Sequence, residues 1–215
     1  MSQRYACSDP DERNIGTLNA ARAVERGDLV VFPTDTVYGV GTDAFDPDAV
    51  AGLVAAKERG RAKPPPVLIG NVHALDGVAT GIPSAGRALV EEFWPGGLTL
   101  VCREQPSLVW DLGEAKGTVA IRMPDHPIAL GLLEETGPMA VTSANITGNE
   151  PTMDADGAYD QLGERVTVYL DGGKAPGGTP STIVDLTASV PRLLRSGAIT
   201  LERLREVVPE LEDLP

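Results

Sequence analysis

Cysteine, histidine and aromatic residues are scarce in this chain: two Cys, two His and 4% Phe, Trp and Tyr among 215 residues. Two cysteines and two histidines without ligand spacing exclude a convincing zinc site, and Cys7 and Cys102 read as free thiols. Long apolar runs are missing as well. No stretch approaches the length of a membrane span, and the opening Met1-Ser2-Gln3-Arg4-Tyr5 lacks the basic start and apolar run of a secretory signal. The expectation is therefore a cytosolic protein with no membrane partner. Positive charge is short too: 18 Lys and Arg stand against 31 Asp and Glu, a net charge of -13. Such a chain repels nucleic acid as a whole, so any polyanion it binds must meet a local basic site.

What is present suits one globular core. Hydrophobic residues make up 42% and charged residues 23%, and no repeat or linker divides the sequence. The centre of the pattern is residues 28 to 43, DLVVFPTDTVYGVGTD. Leu29-Val30-Val31-Phe32 is short, apolar and β-branched, as a buried strand requires. Past Pro33, the side chains of Thr34, Asp35, Thr36 and Tyr38 crowd a turn that Gly39 and Gly41 allow to approach a ligand closely. Without a ligand the same residues would make a capped turn between two strands.

Around that segment, residues 1 to 13 read as flexible, and Ile15, Leu18, Ala21 and Val24 predict a helix from Asn14 that Gly27 stops. Asp46-Pro47 starts another helix. It leads into Lys57, Arg59, Arg61 and Lys63, the main local concentration of positive charge, followed by Pro64-Pro65-Pro66. In an extended segment Lys57 and Arg59 would point the same way and reach one ligand; otherwise the run is a solvated basic loop. Trp94-Pro95-Gly96-Gly97 reads as core and turn before the strand Leu98 to Cys102. Arg122 ends the strand Thr118 to Arg122 and can pair with a carboxylate by two parallel hydrogen bonds. His126 fits a cap better than a base. Ser143 and Asn145 follow the strand Pro138 to Thr142, and a glycine-rich stretch, residues 171 to 180, precedes Ser181 and Thr182. That stretch lacks the G-K-[ST] order of a Walker A loop.

PTDTVYG, K-x-R at Lys57 and Arg59, W-P-G-x-L-T near Trp94, R-x-P-x-H-P from Arg122, S-x-N at Ser143 and Asn145, and PSTIVD with the later Arg195-Ser196-Gly197 occur in order from about Ile15 to Val208. In this series the chain resembles the YrdC family, the threonylcarbamoyl-AMP synthases that begin the threonylcarbamoyl modification of adenosine in transfer RNA. It departs from the family pattern with Glu58 and Gly60 where glycine and proline are common, a triple proline where one is usual, and SANITG for the frequent SANPSG.

The resemblance implies an α/β fold of α+β type, a twisted mixed sheet flanked by helices with a concave ligand groove. The connection from Leu29–Phe32 into Val37–Thr42 is too brief for a parallel crossover and agrees with a mixed sheet. The expected layout is a flexible N-terminus (1–13), a catalytic domain (14–208) and a C-terminal tail (209–215), the short form without an additional domain. The implied activity is a nucleotidyltransferase that condenses L-threonine, bicarbonate or CO2 and ATP into threonylcarbamoyladenylate and pyrophosphate. Lys57 and Arg59 would be catalytic. Thr34, Tyr38, Arg122 and Thr142 would bind threonine and the carbamate. Lys57, Arg59, Ser143, Asn145, Ser181 and Arg195 would hold the nucleotide. No metal-ligand set is expected; Mg2+ would come with ATP. Further partners would be the proteins that transfer the threonylcarbamoyl group to tRNA, with weak RNA binding of its own. Two other readings are a non-catalytic module of the same fold that binds double-stranded RNA or tRNA, against which the acidic total stands, and the carbamoyl-transfer domain of hydrogenase maturation, whose zinc-finger regions two cysteines do not allow.

Overall fold

The computed structural model describes residues 1–214. Among them the strands are β1 (Gln3–Ala6), β2 (Val30–Phe32), β3 (Gly39–Asp43), β4 (Val67–Leu68), β5 (Ala79–Thr80), β6 (Leu98–Glu104), β7 (Thr118–Arg122), β8 (Met139–Ser143), β9 (Val168–Asp171), β10 (Thr182–Asp185) and β11 (Arg192–Arg195). They join in one sheet of order β1-β9-β2-β3-β8-β4-β7-β6-β10-β11, with β5 on β6. Parallel pairs (β1·β9, β2·β9, β4·β7, β6·β10) mix with antiparallel ones, among them β2·β3 and β3·β8. This is the expected mixed sheet. The helices are α1 (Pro10–Glu25), α2 (Pro47–Ala56), α3 (Leu75–Val78), α4 (Ser84–Phe93), α5 (Pro127–Thr136), α6 (Ala155–Leu162) and α7 (Leu201–Val207). None is long and apolar enough to cross a membrane.

Side-chain alternation divides the core in two. Val30, Phe32, Val141, Val168 and Leu170 pack with α1 and α5 on one face. Val31, Val40, Ala140 and Tyr169 belong to the larger cluster on the other face, which includes residues of α2, α4, α6 and α7. No residue of β6, β7 or β10 joins the first cluster. Leu68 pairs with Arg122, Val101 with Ala120 and Thr99 with Ile183. Arg122, Ala120, Thr99 and Ile183 therefore lie on the same face beyond the cover of α1 and α5, and with Leu68 at the border they line a groove of about 390 Å³.

Local signals explain most helix ends. The Asp46 carboxylate accepts from the amides of Asp48 and Ala49 at 2.9 and 3.1 Å, with Pro47 in the first turn. Gly27 leaves α1 at φ 78°, and His126 caps α5, its Nδ1 accepting from Ile128 N at 3.3 Å. The N-terminus differs from expectation. Residues 3–6 form β1, and α1 begins at Pro10, capped by Asp9, rather than at Asn14. β1 shows no apolar alternation. Backbone pairing to β9 holds it, together with Arg4, which donates to Asp171 and Asp156. At the other end Leu211 is buried and Glu212 bridges to Arg192, while Pro215 of the expected tail lies outside the described residues.

Two glycines test this packing in opposite directions. A Cβ at Gly41 would sit 2.7 Å from Val141 Cγ2 and 2.9 Å from Ala140 O, whereas one at Gly52 on α2 meets nothing within 4 Å. In urea denaturation, Gly41→Ala is expected to lose about 1–3 kcal/mol through overpacking and Gly52→Ala to gain about 0.5–1 kcal/mol of helix stability.

Candidate active-site groove

The turn after β2 forms one wall. The Thr34 hydroxyl donates to Val37 O at 2.7 Å and lies 3.0 Å from the Thr36 hydroxyl, while Arg122 Nη1 donates to Thr36 Oγ1 at 2.9 Å. Thr34 spends its only proton on Val37, so Thr36 must donate to Thr34. The chain of donors then runs Arg122 → Thr36 → Thr34 → Val37 O. Thr34 Oγ1 also accepts from Thr36 N at 3.2 Å, which leaves its hydroxyl fully used; Thr36 Oγ1 keeps one acceptor position. Arg122 is held on two further sides, by Gly96 O at 2.8 Å and Asp35 Oδ1 at 2.6 Å. Asp35 Oδ1 also accepts from Asp125 N at 2.9 Å. Burial lowers the Arg122 pKa and Asp35 opposes that shift.

The basic segment does not take the extended path expected of it. Lys57 caps α2 with helical backbone (φ -92°, ψ -2°), and Glu58 turns the chain at φ 53°. The two cations consequently part. Lys57 is 2% exposed, and its ammonium donates to the carbonyls of Ser143 and Asn145, behind the groove wall. Its own carbonyl accepts from Thr147 N at 3.0 Å, so Lys57 fastens the 143–147 corner at two points. Arg59 reaches the groove: Nε donates to Lys63 O at 2.6 Å and Nη1 to Thr142 Oγ1 at 3.0 Å. Ser143 and Asn145 both line it, joined by a tight turn in which Asn145 N donates to Ser143 O at 2.9 Å. Asn145 Oδ1 is buried without a hydrogen-bond partner. An orphaned acceptor of this kind costs free energy until a donor meets it.

On the far wall, Arg195 donates through Nε and Nη2 to Ser181 O at 3.0 and 2.7 Å and through Nη2 to Ser181 Oγ at 3.0 Å. Ser181 Oγ lies 2.8 Å from Thr99 Oγ1. Arg59, Arg122 and Arg195 thus line a groove among whose walls stands no Asp or Glu. Among the described residues neither Arg59 nor Arg195 has a carboxylate partner; the ion pair of the site is Arg122 with Asp35. Burial lowers the pKa of Arg195, and the charges of Arg122 and Arg59 lower it further. An anion in the groove would relieve both effects.

Thr34, Tyr38, Arg59, Arg122, Thr142, Ser143, Asn145, Ser181 and Arg195, expected from sequence, all line this one groove. Lys57 is not among the lining residues, and Tyr38 has no exposed surface. Thr36, Asp35 and Thr99 went unassigned. Thr36 and Asp35 lie in the PTDTVYG segment beside residues that were chosen, whereas Thr99 reads as an ordinary β-former. No group of three or more His, Cys, Asp or Glu gathers among the described residues as a metal site.

Burial foremost, and then the charge of Arg59, bring the Lys57 pKa from 10.5 to about 8. A neutral amine still has two N–H groups, one for each carbonyl. Between those two pH values the unfolded chain holds the proton more tightly than the folded one, so the penalty at Lys57 is complete below 8 and fades as pH rises. Stability of the parent relative to Lys57→Met, measured by urea denaturation at about pH 7.5 and about pH 10, should therefore increase at the higher pH. A constant difference would mean that the amine stays charged.

The chain is similar to known proteins in sequence and in fold. Residues 22–197 match the Sua5/YciO/YrdC family, described as telomere recombination. A Mycobacterium tuberculosis protein is 52% identical over 97% of this chain and 96% of its own length. The threonylcarbamoyl-AMP synthase of Bacillus subtilis is 38% identical over 88% of this chain and 55% of its own length. A solved structure of Sua5 from Pyrococcus abyssi complexed with L-threonine superposes with a TM-score of 0.90 at 36% identity, covering 96% of this chain and 60% of that one. With a match across most of its length, the chain belongs to the Sua5/YciO/YrdC family.

Proposed function

We propose that this protein is a threonylcarbamoyl-AMP synthase, which condenses L-threonine, bicarbonate or CO2 and ATP into threonylcarbamoyladenylate and pyrophosphate. The observation that carries the reading is the groove lined by Arg59, Arg122 and Arg195 with no carboxylate in its walls, inside a protein of net charge -13. Threonine has a carboxylate, and ATP, bicarbonate and the carbamate are anions, so the chemistry needs charge neutralisation and alignment more than a covalent nucleophile. Membership in the family, with a relative named for this activity, supports the same choice.

Threonine would bind on the side of the 34–38 turn, its carboxylate at Arg122 and its polar groups near Thr36 and Thr142. The free acceptor position on Thr36 suits a substrate donor better than the spent hydroxyl of Thr34. Once its ammonium loses a proton, the threonine amine adds to CO2, or to bicarbonate with loss of water, and the nitrogen releases a second proton to solvent or, from bicarbonate, with that water; an oxygen of the resulting carbamate then attacks the α-phosphorus in line. Pyrophosphate leaves opposite. Arg59 would stabilise charge where carbamate and triphosphate meet. Ser143, Asn145, Ser181 and Arg195 would hold the nucleotide, with Asn145 Oδ1 receiving a donor from it. Lys57 would act behind the wall by keeping the Ser143–Asn145 corner in shape. Asp35, in the turn that forms one wall, is taken by Arg122. Mg2+ would therefore be carried by the phosphates of ATP. The product would pass, in the cytosol, to the proteins that complete the tRNA modification.

The test is pyrophosphate release from MgATP by the purified chain, with L-threonine and bicarbonate each added or omitted. Release should require both. Arg59→Ala should lower kcat/KM about tenfold to a hundredfold, the loss of one charge-assisted contact or more. ATP left intact under every condition, with labelled tRNA bound in a salt-sensitive way, would contradict the synthase reading in favour of an RNA-binding module.

A further inference from the structure

Tyr38 stands immediately before β3 and borders the groove, but it has no exposed surface, so its phenol is closed to a bound molecule in this conformation. Its oxygen is nevertheless engaged over a long span of sequence. It donates to Gly173 O at 2.6 Å and accepts from Gly172 N at 3.1 Å. Burial pushes the phenol's pKa up, which keeps it the donor in the first of these bonds. The backbone of the same residue donates to Thr152 O at 3.0 Å and accepts from Ala144 N at 2.8 Å. One side chain and its peptide groups thus connect the 34–38 turn, the Ser143–Asn145 corner, the segment near Thr152 and the glycine-rich loop of residues 172–180.

That loop lies on the groove's threonine side. Past Gly173, Ala175 N donates to Met153 O at 2.7 Å and Gly178 N to Thr36 O at 2.8 Å. A Cβ at Gly177 would stand 2.4 Å from Asp35 O and 3.0 Å from Thr36 Cα, so the loop rests directly on Asp35 and Thr36. These residues position Arg122, through a carboxylate and a hydroxyl respectively. Gly173 and Gly178 adopt φ of 78° and 75°, turns that restrict this path to glycine.

We propose that Tyr38 is a positioning residue for the amino-acid substrate: its hydroxyl seats residues 172–178 on the Asp35–Thr36 backbone, and that seat fixes the Thr36 and Arg122 donors that meet threonine. The proposal rests on the synthase reading for the identity of that substrate. The Tyr38 bonds themselves do not. Removing the hydroxyl frees the loop's first anchor and loosens the seat under Thr36 and Arg122 while Arg59 and Arg195 keep their own contacts, so it weakens threonine binding more than ATP binding.

The test uses the full chain as Tyr38→Phe, which keeps the ring and deletes the hydroxyl, with two readouts. Hydrogen exchange of peptides covering 172–178 should quicken about three- to tenfold, and KM for L-threonine should rise by a similar factor while KM for ATP changes less than about twofold. Gly177→Ala, which pushes the loop off Asp35 with the Tyr38 hydroxyl intact, should give the same split between the two KM values and covers the case of a poorly folded Tyr38→Phe. Unchanged exchange would overturn the proposal, as would faster exchange with an unchanged KM for threonine or an equal rise in both KM values. A parent protein lacking threonine-dependent pyrophosphate release would defeat the synthase reading instead, and the exchange comparison would still decide whether Tyr38 holds the loop.

Discussion

Cations held by carbonyl oxygens, without carboxylates to neutralise them, are the interaction on which this site depends. Lys57 sits on Ser143 O and Asn145 O, Arg59 on Lys63 O and Arg195 on Ser181 O. A carbonyl dipole orients a guanidinium or ammonium and offsets part of its desolvation, but it leaves the net charge available. Arg122 is the exception: Asp35 pairs with it, and Gly96 O and Thr36 fix its plane. The result is a positive groove in a strongly acidic protein. The net charge of -13 disfavours long polyanions over the molecule as a whole.

The sheet makes this arrangement possible through incomplete coverage. Helices α1 and α5 close one face over β1, β9, β2 and β3, and the same face over β7, β6 and β10 stays open. Strand ends deliver the polar groups: Arg122 from β7, Thr142 and Ser143 from β8 and Arg195 from β11. Loops add Arg59 and Ser181. Backbone hydrogen bonds tie Lys57 O to Thr147 N, Tyr38 O to Ala144 N and Thr36 O to Gly178 N, so neighbouring wall segments are linked in turn, with Tyr38 at the junction of four of them.

Much of this could be read from residues. The buried strand at Val30–Phe32, the cap at Asp46, the stop at Gly27 and the cap role of His126 follow from local chemistry, and nine of the ten expected site residues line the one groove, Lys57 being the exception. What escaped was direction. A K-x-R spacing suggests two side chains on one face of extended backbone, but Lys57 still belongs to a helix end and Glu58 adopts a positive φ, so one cation turns inward and the other outward. Tyr38 resembled a ligand contact because a hydroxyl beside glycines usually is accessible; its partners lie at Gly172 and Gly173, far along the chain. The N-terminal strand was hidden for a related reason. Gln3–Ala6 is held by backbone pairing and Arg4 ion pairs rather than by apolar alternation.

The proposed reaction joins an amino acid, a one-carbon unit and ATP into one adenylate in this groove. Mass analysis of the product formed from ATP, L-threonine and carbon-13 bicarbonate tests it most directly. The expected product is an adenylate that contains the intact amino acid and one labelled carbon, formed together with pyrophosphate. An adenylate of threonine without the labelled carbon, or no adenylate at all, would contradict it.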